Sequence, residues 1–403
     1  MVIGAGINQV PLIKAARREG YRTIACDLDE HAPGASWADD LLRISTKDRE
    51  DLLRAAKENR INGIAANSEY AMCDAAHIAN ELGLVGNPEE AVAILSSKSR
   101  FRTLQKETGL FAPAFLPIGS ACDPPKVPET LSFPALIKPD QSSGSRGMVL
   151  IQDPVDKAAL AQAVRACTAV SRNRKAILEE YVRIPSRAAI EGEIFVHHGE
   201  ILWDGLFNTI RSEKAEWLPM TYIFPLREAE ERIQQVKNTL AKAFAAAGIL
   251  HGEYNTELFF TPGGEPFLLE INPRQGGYGL PGYVQEHCGI DYHRLLVTTA
   301  MGEDDYWNSL KGIKRNSRLI THHMLFPGST GVFEGIRIPD FLRDKVYRIQ
   351  LDIRKGDPVS EPTDASSEIG YVDLCFESTE EQEQVSLDLE QLIQVEIGKS
   401  HEH

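Results

Sequence analysis

Long apolar segments are missing from this chain of 403 residues. Its apolar stretches reach about ten residues, as in 243–250, whereas a membrane-spanning helix needs roughly 20. The amino terminus has no basic segment ahead of an apolar one, so we expect no signal peptide. The first strand-like segment is so short that a native start upstream of Met1 stays open. We therefore expect a cytoplasmic protein without a membrane partner.

Cysteine is scarce and scattered. The six cysteines stand singly along the chain, and none forms a CxxC pair or a zinc-binding spacing with histidine. This pattern argues against a disulfide-stapled secreted domain and against a zinc ribbon. Reduced and mostly buried thiols are expected.

Positive charge is in deficit, because 43 Lys and Arg face 58 Asp and Glu and leave a net charge of −15. Such a chain is not expected to bind nucleic acid, although a local basic pocket for phosphate is compatible with it. Hydrophobic residues at 42% and charged residues at 25% are typical of a globular protein. The length exceeds one ordinary domain of roughly 100–200 residues, so several domains are expected.

Residues 1–90 alternate short apolar runs with amphipathic helical segments, which predicts a parallel α/β sheet. Gly4-Ala5-Gly6 resembles half of a dinucleotide fingerprint, and Asp27 or Asp29 could meet a ribose about twenty residues on. Gln9 stands where the third glycine belongs. We therefore favour a tight turn without nucleotide over an NAD-linked oxidoreductase.

The rest of the chain is punctuated by caps and prolines. Ser96-Ser97 and Gly109 bound a predicted helix, and the proline-rich segment 113–128 is typical of a hinge. An α+β unit should follow to about Gly302. From Leu319 the pattern alternates short strands and turns and finishes with a helix near 379–392. Single histidines are expected to be structural, and one ring of the strand pair His322-His323 should point inward and the other outward. The other structural histidines are His251, His287 and His293.

A lysine and a glycine-serine loop follow one buried strand. Phe133 to Pro139 includes Lys138 and leads into Gln141-Ser142-Ser143-Gly144-Ser145-Arg146-Gly147, after which a second apolar strand begins. Small residues let backbone N–H groups approach phosphate, and Lys138 and Arg146 add charge. Taken alone, the loop is more simply an ordinary flexible hairpin.

Two acids and an amide stand on strands joined by a turn at 261–264. Glu257 precedes the turn, and Glu270 and Asn272 follow it on one face of the second strand. Their oxygens suit Mg²⁺. A solvent-facing row of acids is the alternative, but the apolar neighbours of Glu270 make an unpaired charge costly there.

Glycines crowd the segment after this strand. Arg274 is followed by Gln275-Gly276-Gly277-Tyr278-Gly279, which could form a backbone pocket for a carboxylate or a mobile turn. Strand alternation places Arg274 on the face of Glu270 and Asn272. The segment 208–225, with Arg211, Lys214 and Trp217, is our candidate for a substrate-facing loop.

These motifs follow one another in a characteristic order, namely Lys98, the Lys138 strand with its glycine loop, Glu179-Glu180-Tyr181-Val182, Glu257 and Glu270-Ile271-Asn272-Pro273-Arg274. The order resembles that of the ATP-grasp superfamily over nearly the whole chain. The resemblance is nearest to the carboxylate–amine ligase branch, which includes L-amino-acid (dipeptide) ligases.

The resemblance implies an α/β and α+β architecture with five parts. They are a Rossmann-like domain preceding the grasp at 1–95, a linker helix and hinge at 96–130, a lid at 131–182, a central domain with the metal site at 183–310 and a C-terminal β-rich subdomain at 311–403.

The resemblance also implies roles for individual residues. ATP phosphates would meet Lys98, Lys138 and the loop Ser142, Ser143, Gly144, Ser145, Arg146 and Gly147, and the adenine would meet the hinge Glu179, Glu180, Tyr181 and Val182. One or two Mg²⁺ ions, with Mn²⁺ as a substitute, would be held by Glu257, Glu270 and Asn272. Arg274 and Lys138 would be catalytic, and the substrate would meet Arg274, Gly276, Gly277, Tyr278 and Arg211. Near Arg187 the usual ribose-binding glutamate is replaced by Ser186-Arg187-Ala188, with Glu191 later.

The expected activity is ATP-dependent formation of an amide bond between a small carboxylate and an amine, through an acyl phosphate and with ADP and phosphate as products. The acid is expected to be an amino acid or a related molecule, and a homodimer is compatible with the resemblance. A biotin-carboxylase-like or purine-pathway carboxylating enzyme is one alternative. A nucleotide-binding scaffold without turnover is another.

Overall fold

The computed structural model describes residues 1–119, 127–142, 146–153, 157–183, 187–215, 218–315 and 317–398. Ser143, Gly144 and Ser145 of the glycine loop lie outside these ranges, as do Ser186 and Trp217. Within the described ranges, no helix combines the length and the apolar character needed to cross a membrane.

The amino-terminal unit is the predicted parallel α/β sheet. Its strands pair in the order β1-β2-β3, all parallel, and Val2 makes a further parallel bridge to Ala65. Helix α1 starts with Pro11 in its first turn and buries one apolar face against the sheet. The elements are β1 (Val2–Ile3), α1 (Val10–Arg18), β2 (Ile24–Cys26), β3 (Asp40–Leu42), α2 (Arg49–Glu58), α3 (Met72–Leu82) and α4 (Glu89–Leu95).

A single helix leads from this unit into a four-stranded sheet, whose strands fall mostly in the segment 131–182 that we expect to form the lid. Helix α5 (Lys98–Thr108) begins at Ser97, whose side chain accepts from the Arg100 N–H, and ends at Gly109 with φ of 65°. Both boundaries confirm the predicted caps. Four antiparallel strands in the order β4-β7-β5-β6 then form the lid sheet, covered by one helix. The lid elements are β4 (Phe115–Ile118), β5 (Ala135–Pro139), β6 (Val149–Ile151), α6 (Lys157–Val170) and β7 (Ala176–Glu180).

A nine-stranded sheet is the largest layer in the described part of the chain. Helix α7 packs on one face of it, and helices α8 and α9 lie against the other face. The first elements of this layer are β8 (Ala188–His197), β9 (Glu200–Leu202), β10 (Leu206–Arg211), β11 (Pro219–Phe224), α7 (Glu230–Ala247), β12 (His251–Phe260), β13 (Pro266–Asn272), α8 (Leu280–Cys288), α9 (Tyr292–Ala300) and α10 (Asp305–Ser309).

The carboxyl-terminal segment continues the same sheet. Strand β14 pairs with β11, and β18 and β16 extend the order beyond it, while β17, β15 and β19 form a small second sheet. The last strand, β19, follows the helix at which we expected the chain to finish. The elements are β14 (Leu319–Leu325), β15 (Gly331–Arg337), β16 (Val346–Leu351), β17 (Pro358–Val359), β18 (Gly370–Phe376), α11 (Thr379–Leu387), α12 (Leu389–Leu392) and β19 (Gln394–Gly398).

The prediction for His322-His323 is wrong in one respect. The two rings do point to opposite faces of β14, but both are buried, each at 1% exposure. His322 Nδ1 lies 2.7 Å from Asp373 Oδ1, and His323 Nδ1 lies 2.8 Å from Thr221 Oγ1. The reason is that β14 is an inner strand covered on both faces, so neither side of it meets solvent. Burial lowers the pKa of His323 to about 3.

The segment 208–225 is not a loop. Most of it forms the hairpin β10–β11 inside the central sheet, with Asn208 opposite Ile223 and Thr209 opposite Tyr222. The polar residues that made it look like a loop are concentrated in the connection, where Ser212 Oγ donates to Glu390 Oε1 at 2.6 Å. Lys214 belongs to this connection, so Arg211 is the candidate residue that the strand carries towards the cleft.

Candidate active site

A cleft of about 1930 Å³ lies where several parts of the described chain meet. The amino-terminal unit, the lid, the hinge strand, the central sheet and the segment 362–368 each contribute to its walls. Pockets for one small ligand usually measure roughly 300–1,000 Å³. The cleft is therefore large enough for a nucleotide and a second molecule together.

The site residues expected from the sequence converge on this cleft. Among those described, Gly147 is the exception, since it does not line the walls. The residues that do are Lys98, Lys138, Ser142, Arg146, Glu179, Glu180, Tyr181, Val182, Arg211, Glu257, Glu270, Asn272, Arg274, Gly276, Gly277 and Tyr278.

Acidic side chains form a row across three neighbouring strands. In the pairing register Glu257 of β12 stands opposite Glu270 of β13 on one side and Glu191 of β8 on the other. Asn255 is likewise flanked by Asn272 and Glu193 in a second row on the same face. Like charges placed directly opposite one another destabilise a sheet unless cations compensate them.

Cationic groups of the chain compensate part of this charge. Arg211 forms an ion pair with Glu257. Burial opposes the ionisation of Glu270, but the charge of Lys98 and the Asn272 amide outweigh it and hold the pKa of that carboxyl below its usual range. Burial raises the pKa of Glu191 to about 7.

The donor set of the two rows fits a hard divalent cation. Glu257, Glu270 and Asn272 line the cleft, and Mg²⁺ prefers the carboxylate and amide oxygens that such residues carry, together with phosphates. An ion bound there would neutralise the acids that stand opposite one another in the sheet. It would also bring a phosphate chain to the cationic side chains of the lid.

Lys138 is held by a buried ion-pair cluster. Its Nζ lies 2.6 Å from Glu179 Oε1, and Arg102 Nε lies 2.9 Å from Glu179 Oε2. Arg102 Nη1 also donates to the carbonyl of Leu269 at 3.0 Å. Arg102 therefore joins helix α5 to the hinge strand and to the strand that carries Glu270. The sequence did not identify it, because a lone arginine on a helix has no signal of its own.

The side chain of Glu179 thus forms an ion pair with Lys138 and does not contribute directly to the hinge. The carboxylate of Glu180 accepts from the Ser132 N–H at 2.9 Å, and the N–H groups of Glu180 and Tyr181 donate to carbonyls of Ala114 and Pro134. Both acids therefore have structural partners. A contact between this hinge and a base would use other backbone groups of 179–182.

Lys98 connects the lid loop with the acidic rows. Its Nζ donates to the carbonyl of Ser142 at 2.9 Å, and its N–H donates to the carbonyl of Asp140 at 3.0 Å. The Asp140 carboxylate accepts in turn from Ser97 Oγ at 2.7 Å. These contacts fix the start of the glycine loop to the first turn of α5.

Hydrogen bonds to glutamates of the central sheet fix the glycine-rich segment that follows Arg274. The Gly276 N–H donates to Glu193 Oε2 at 2.9 Å, and Gln275 Nε2 donates to Glu253 Oε2 at 2.6 Å. Arg274 Nη1 donates to the carbonyl of Gln275 at 2.7 Å. The Gly276 amide is therefore committed to the protein, which leaves the neighbouring groups of the segment to face a ligand.

Asn67 ties the amino-terminal unit into the same network. Its Nδ2 lies 3.1 Å from Gln275 Oε1, and its Oδ1 accepts from Gln9 Nε2 at 2.7 Å. Gln9 thus has a packing role at the position where a dinucleotide fingerprint would have glycine. Asp27 accepts from the Ala5 N–H at 2.8 Å, so its carboxylate stabilises the Gly4–Gly6 turn.

The buried cluster predicts a pH dependence of stability. Although burial opposes ionisation, Arg102 and Lys138 lower the pKa of Glu179 to about 2. A carboxyl with a depressed pKa stabilises the fold above its unfolded pKa, and that stability is lost as the pH falls towards the folded value. The contribution is on the order of 3 kcal/mol.

We expect urea unfolding between pH 5 and pH 3 to show a smaller loss of stability in an Arg102→Met variant than in the wild type. Equal losses would contradict this assignment.

Known proteins are similar to this chain in sequence and in fold. The family model for the D-ala D-ala ligase C-terminus matches residues 118–299. The uncharacterized protein y4rH of Sinorhizobium fredii is 24% identical over 371 residues, which cover 90% of this chain and 72% of that protein. The carbamoyl phosphate synthase large chain of Thermotoga maritima is 22% identical over 322 residues, covering 75% of this chain and 28% of the synthase. This chain thus matches little more than a quarter of the synthase.

Among solved structures, the L-amino acid ligase from Bacillus licheniformis superposes with a TM-score of 0.78 at 22% identity, covering 99% of this chain and 98% of that one. Proteins of the same fold have been crystallised with ADP and with MgADP. Residues 118–299 thus match a ligase family model, and the chain shares its fold with solved ligase structures. The mixed α/β architecture inferred from its motifs is confirmed.

Proposed function

We propose that this chain is an ATP- and Mg²⁺-dependent carboxylate–amine ligase acting on an amino acid or a related small acid. The observation that carries the proposal is the meeting of three features in one cleft. These are the acidic rows around Glu257 and Glu270, the cations Lys98 and Lys138, and the segment after Arg274.

The proposed reaction has two steps. A carboxylate oxygen of the acid forms a bond to the γ-phosphorus of ATP while the bond from that phosphorus to the β–γ bridging oxygen breaks, which releases ADP. The amine nitrogen then bonds to the acyl carbon, phosphate leaves, and the amine proton passes to phosphate or solvent. Such transfers depend on positioning and on neutralised charge more than on a covalent nucleophile.

Each side chain has a definite part in this scheme. Lys98 and Lys138 hold the phosphates, while Glu257, Glu270 and Asn272 would hold a Mg²⁺ ion, which would neutralise phosphate charge. Arg274 stabilises charge on the phosphoryl group in transit. The carboxylate of the acid meets the segment 276–278, and Arg211 orients Glu257 through their ion pair.

Phosphate release from ATP tests the proposal. The panel contains amino acids offered singly and in pairs, with bicarbonate as a separate arm. We expect pairs to stimulate release and a condensed product to appear in mass spectra. Stimulation by bicarbonate alone would favour the carboxylating alternative, and nucleotide binding without release would favour a scaffold. The partners implied are small molecules, and a homodimer stays a prediction that light scattering can check.

Substitution of Arg274 tests the catalytic part. We expect Arg274→Ala to reduce kcat by about 10²–10³, the loss typical of a removed oxyanion-stabilising donor, with little change in the Kd of ATP. Arg274→Lys should restore only part of the rate, because the planar fork is lost. Nucleotide titration and thermal melting on the same preparations separate catalysis from stability. A parallel loss of melting temperature and ATP affinity would instead assign Arg274 a structural role, through its contacts with Gln275 and Glu69.

Two neighbouring glycines provide a matched pair for the substrate segment. A Cβ at Gly276 would overlap the Glu193 carboxylate, whereas a Cβ at Gly277 meets no heavy atom within 4 Å. Gly276→Ala should therefore displace the segment and raise KM for the acid at least about tenfold. Gly277→Ala should leave the segment in place, so a rise in KM from that variant would report direct contact between the substrate and residue 277. Equal KM values for Gly276→Ala and the wild type would refute the role of the segment.

A further inference from the structure

A cluster of imidazoles lies away from the cleft, at one end of the central sheet. His197 is the last residue of β8, His251 is the first residue of β12, and the two are paired in the register. His198 occupies the turn that follows, and Asp304 precedes α10. None of these four lines the cleft that holds the proposed active site.

Two ring nitrogens of this cluster converge on one carboxylate oxygen. His197 Nε2 lies 2.8 Å from Asp304 Oδ1, and His198 Nε2 lies 3.2 Å from the same atom. One donor atom from each of the three side chains lies within 4.8 Å of the other two. Tetrahedral coordination at about 2.0–2.1 Å separates neighbouring ligand atoms by about 3.3 Å, which is close to the two separations from Asp304 Oδ1.

The surroundings orient the three side chains differently. His197 is buried, and its Nδ1 lies 3.0 Å from Thr299 Oγ1, a second contact that fixes the ring as outer partners fix metal-bound imidazoles. The side chains of His198 and Asp304 are 61% and 51% exposed. An ion could therefore reach the cluster from solvent and find one ligand already held in place.

The backbone conformation of the turn that contains His198 does not itself require a histidine. His198 and Gly199 form the two-residue connection between β8 and β9, with φ of 49° and 77°. A type I′ turn of this kind is ordinarily made by asparagine and glycine. The ring of His198 instead packs against His197 and His251, with centroids 4.4 and 4.7 Å apart.

We propose that His197, His198 and Asp304 form a binding site for a divalent transition metal of the Zn²⁺ type, separate from the Mg²⁺ site of the cleft. Two imidazoles and one carboxylate are a donor set that suits Zn²⁺ and its neighbours better than Mg²⁺. Water completes the coordination on the exposed side. The bound ion ties the β8–β9 turn to the connection between α9 and α10, so its effect is on stability and not on the chemistry of the cleft.

Zn²⁺ titration of the full chain by calorimetry, in excess Mg²⁺ so that the cleft is occupied, tests the proposal. Co²⁺ absorption spectra supply an independent signal of a nitrogen-containing site. We expect one ion per chain with a Kd in the micromolar range or tighter and a higher melting temperature in its presence. If Zn²⁺ at a concentration of about 10⁻⁴ M does not bind, the proposal is refuted.

The variants are chosen to keep the fold. His198→Asn suits the same turn, and Asp304→Asn preserves the shape of an exposed side chain. Each should weaken Zn²⁺ binding at least tenfold, whereas His31→Ala, at another exposed histidine, should leave it unchanged. Binding that survives His198→Asn but disappears in a His401→Ala/His403→Ala double variant would assign the ion to the carboxyl terminus and refute the proposal. Because no readout involves turnover, failure here leaves the proposed ligase activity untouched.

Discussion

Glu270→Gln is expected to reduce kcat about a thousandfold or more, a loss of ~4 kcal/mol of transition-state stabilisation, while the protein stays folded. Glu270 stands opposite Glu257 in the register and shares its strand face with Asn272. An amide in place of the carboxylate keeps the shape but removes the charge that an ion between these strands requires. Steady-state phosphate release gives kcat, and circular dichroism and thermal melting report on the fold.

Glu265→Gln is the matched control for this variant. Glu265 lies on the same β12–β13 hairpin but is exposed near its turn, outside the cleft. It should retain the wild-type rate. If Glu270→Gln keeps more than about a tenth of the wild-type kcat, a loss under roughly 1.4 kcal/mol, the magnesium assignment is wrong. Partial rescue by Mn²⁺ would support it.

Arg102→Met is expected to have the largest effect on stability, a loss of about 3–5 kcal/mol, because it removes one partner from a buried ion-pair cluster. Arg102 is 1% exposed and contacts Glu179, Gln105 and the Leu269 carbonyl. Methionine keeps much of the volume beside Phe267, whose ring lies 5.1 Å from the guanidinium. The loss therefore reports on charge and hydrogen bonding more than on a cavity.

Arg100→Met on the same helix provides the comparison. Arg100 is 40% exposed on its side chain and pairs with Glu90 at the surface, where such pairs contribute at most about 1 kcal/mol. Urea unfolding of the two variants should therefore differ by several kcal/mol. If the two variants have similar unfolding midpoints, Lys138 alone is a sufficient partner for the buried carboxylate of Glu179.

The strand motifs could be predicted because their signals are local. The hairpin that carries Glu257 and Glu270 has a turn at the right spacing, and the register pairs the two acids as the pattern required. The caps Ser97 and Gly109 are local in the same way. A residue's immediate neighbours determine such features, so a single sequence contains them.

Other residues of the site depend on partners far along the chain. Arg102 meets Glu179 across 77 positions, and Asn67 meets Gln275 across 208. No periodic pattern in the sequence indicates such pairs. Glu191 was noted only as an acid that follows the expected ribose-binding position, although it completes the acidic row through its pairing with Glu257. Its place became visible only once the order of the strands was known.

Two of the errors have a common physical cause. Polar residues at His322-His323 and within 208–225 suggested exposure, but both segments belong to inner strands of the sheet. Hydrogen bonds to Asp373 and Thr221 satisfy the buried rings. A polar residue on an inner strand is stable once its partner is present, and the local pattern contains no trace of that partner.

The pairing of β14 with β11 also matters while the chain is being made. Strand β11 ends at Phe224, and the strand that covers its edge begins only at Leu319, almost a hundred residues later. A growing chain released from the ribosome before that point would expose an unpaired edge containing Met220, Tyr222 and Phe224. Such edges recruit other strands, so we expect the nascent chain to be prone to strand addition at this edge until β14 is synthesised.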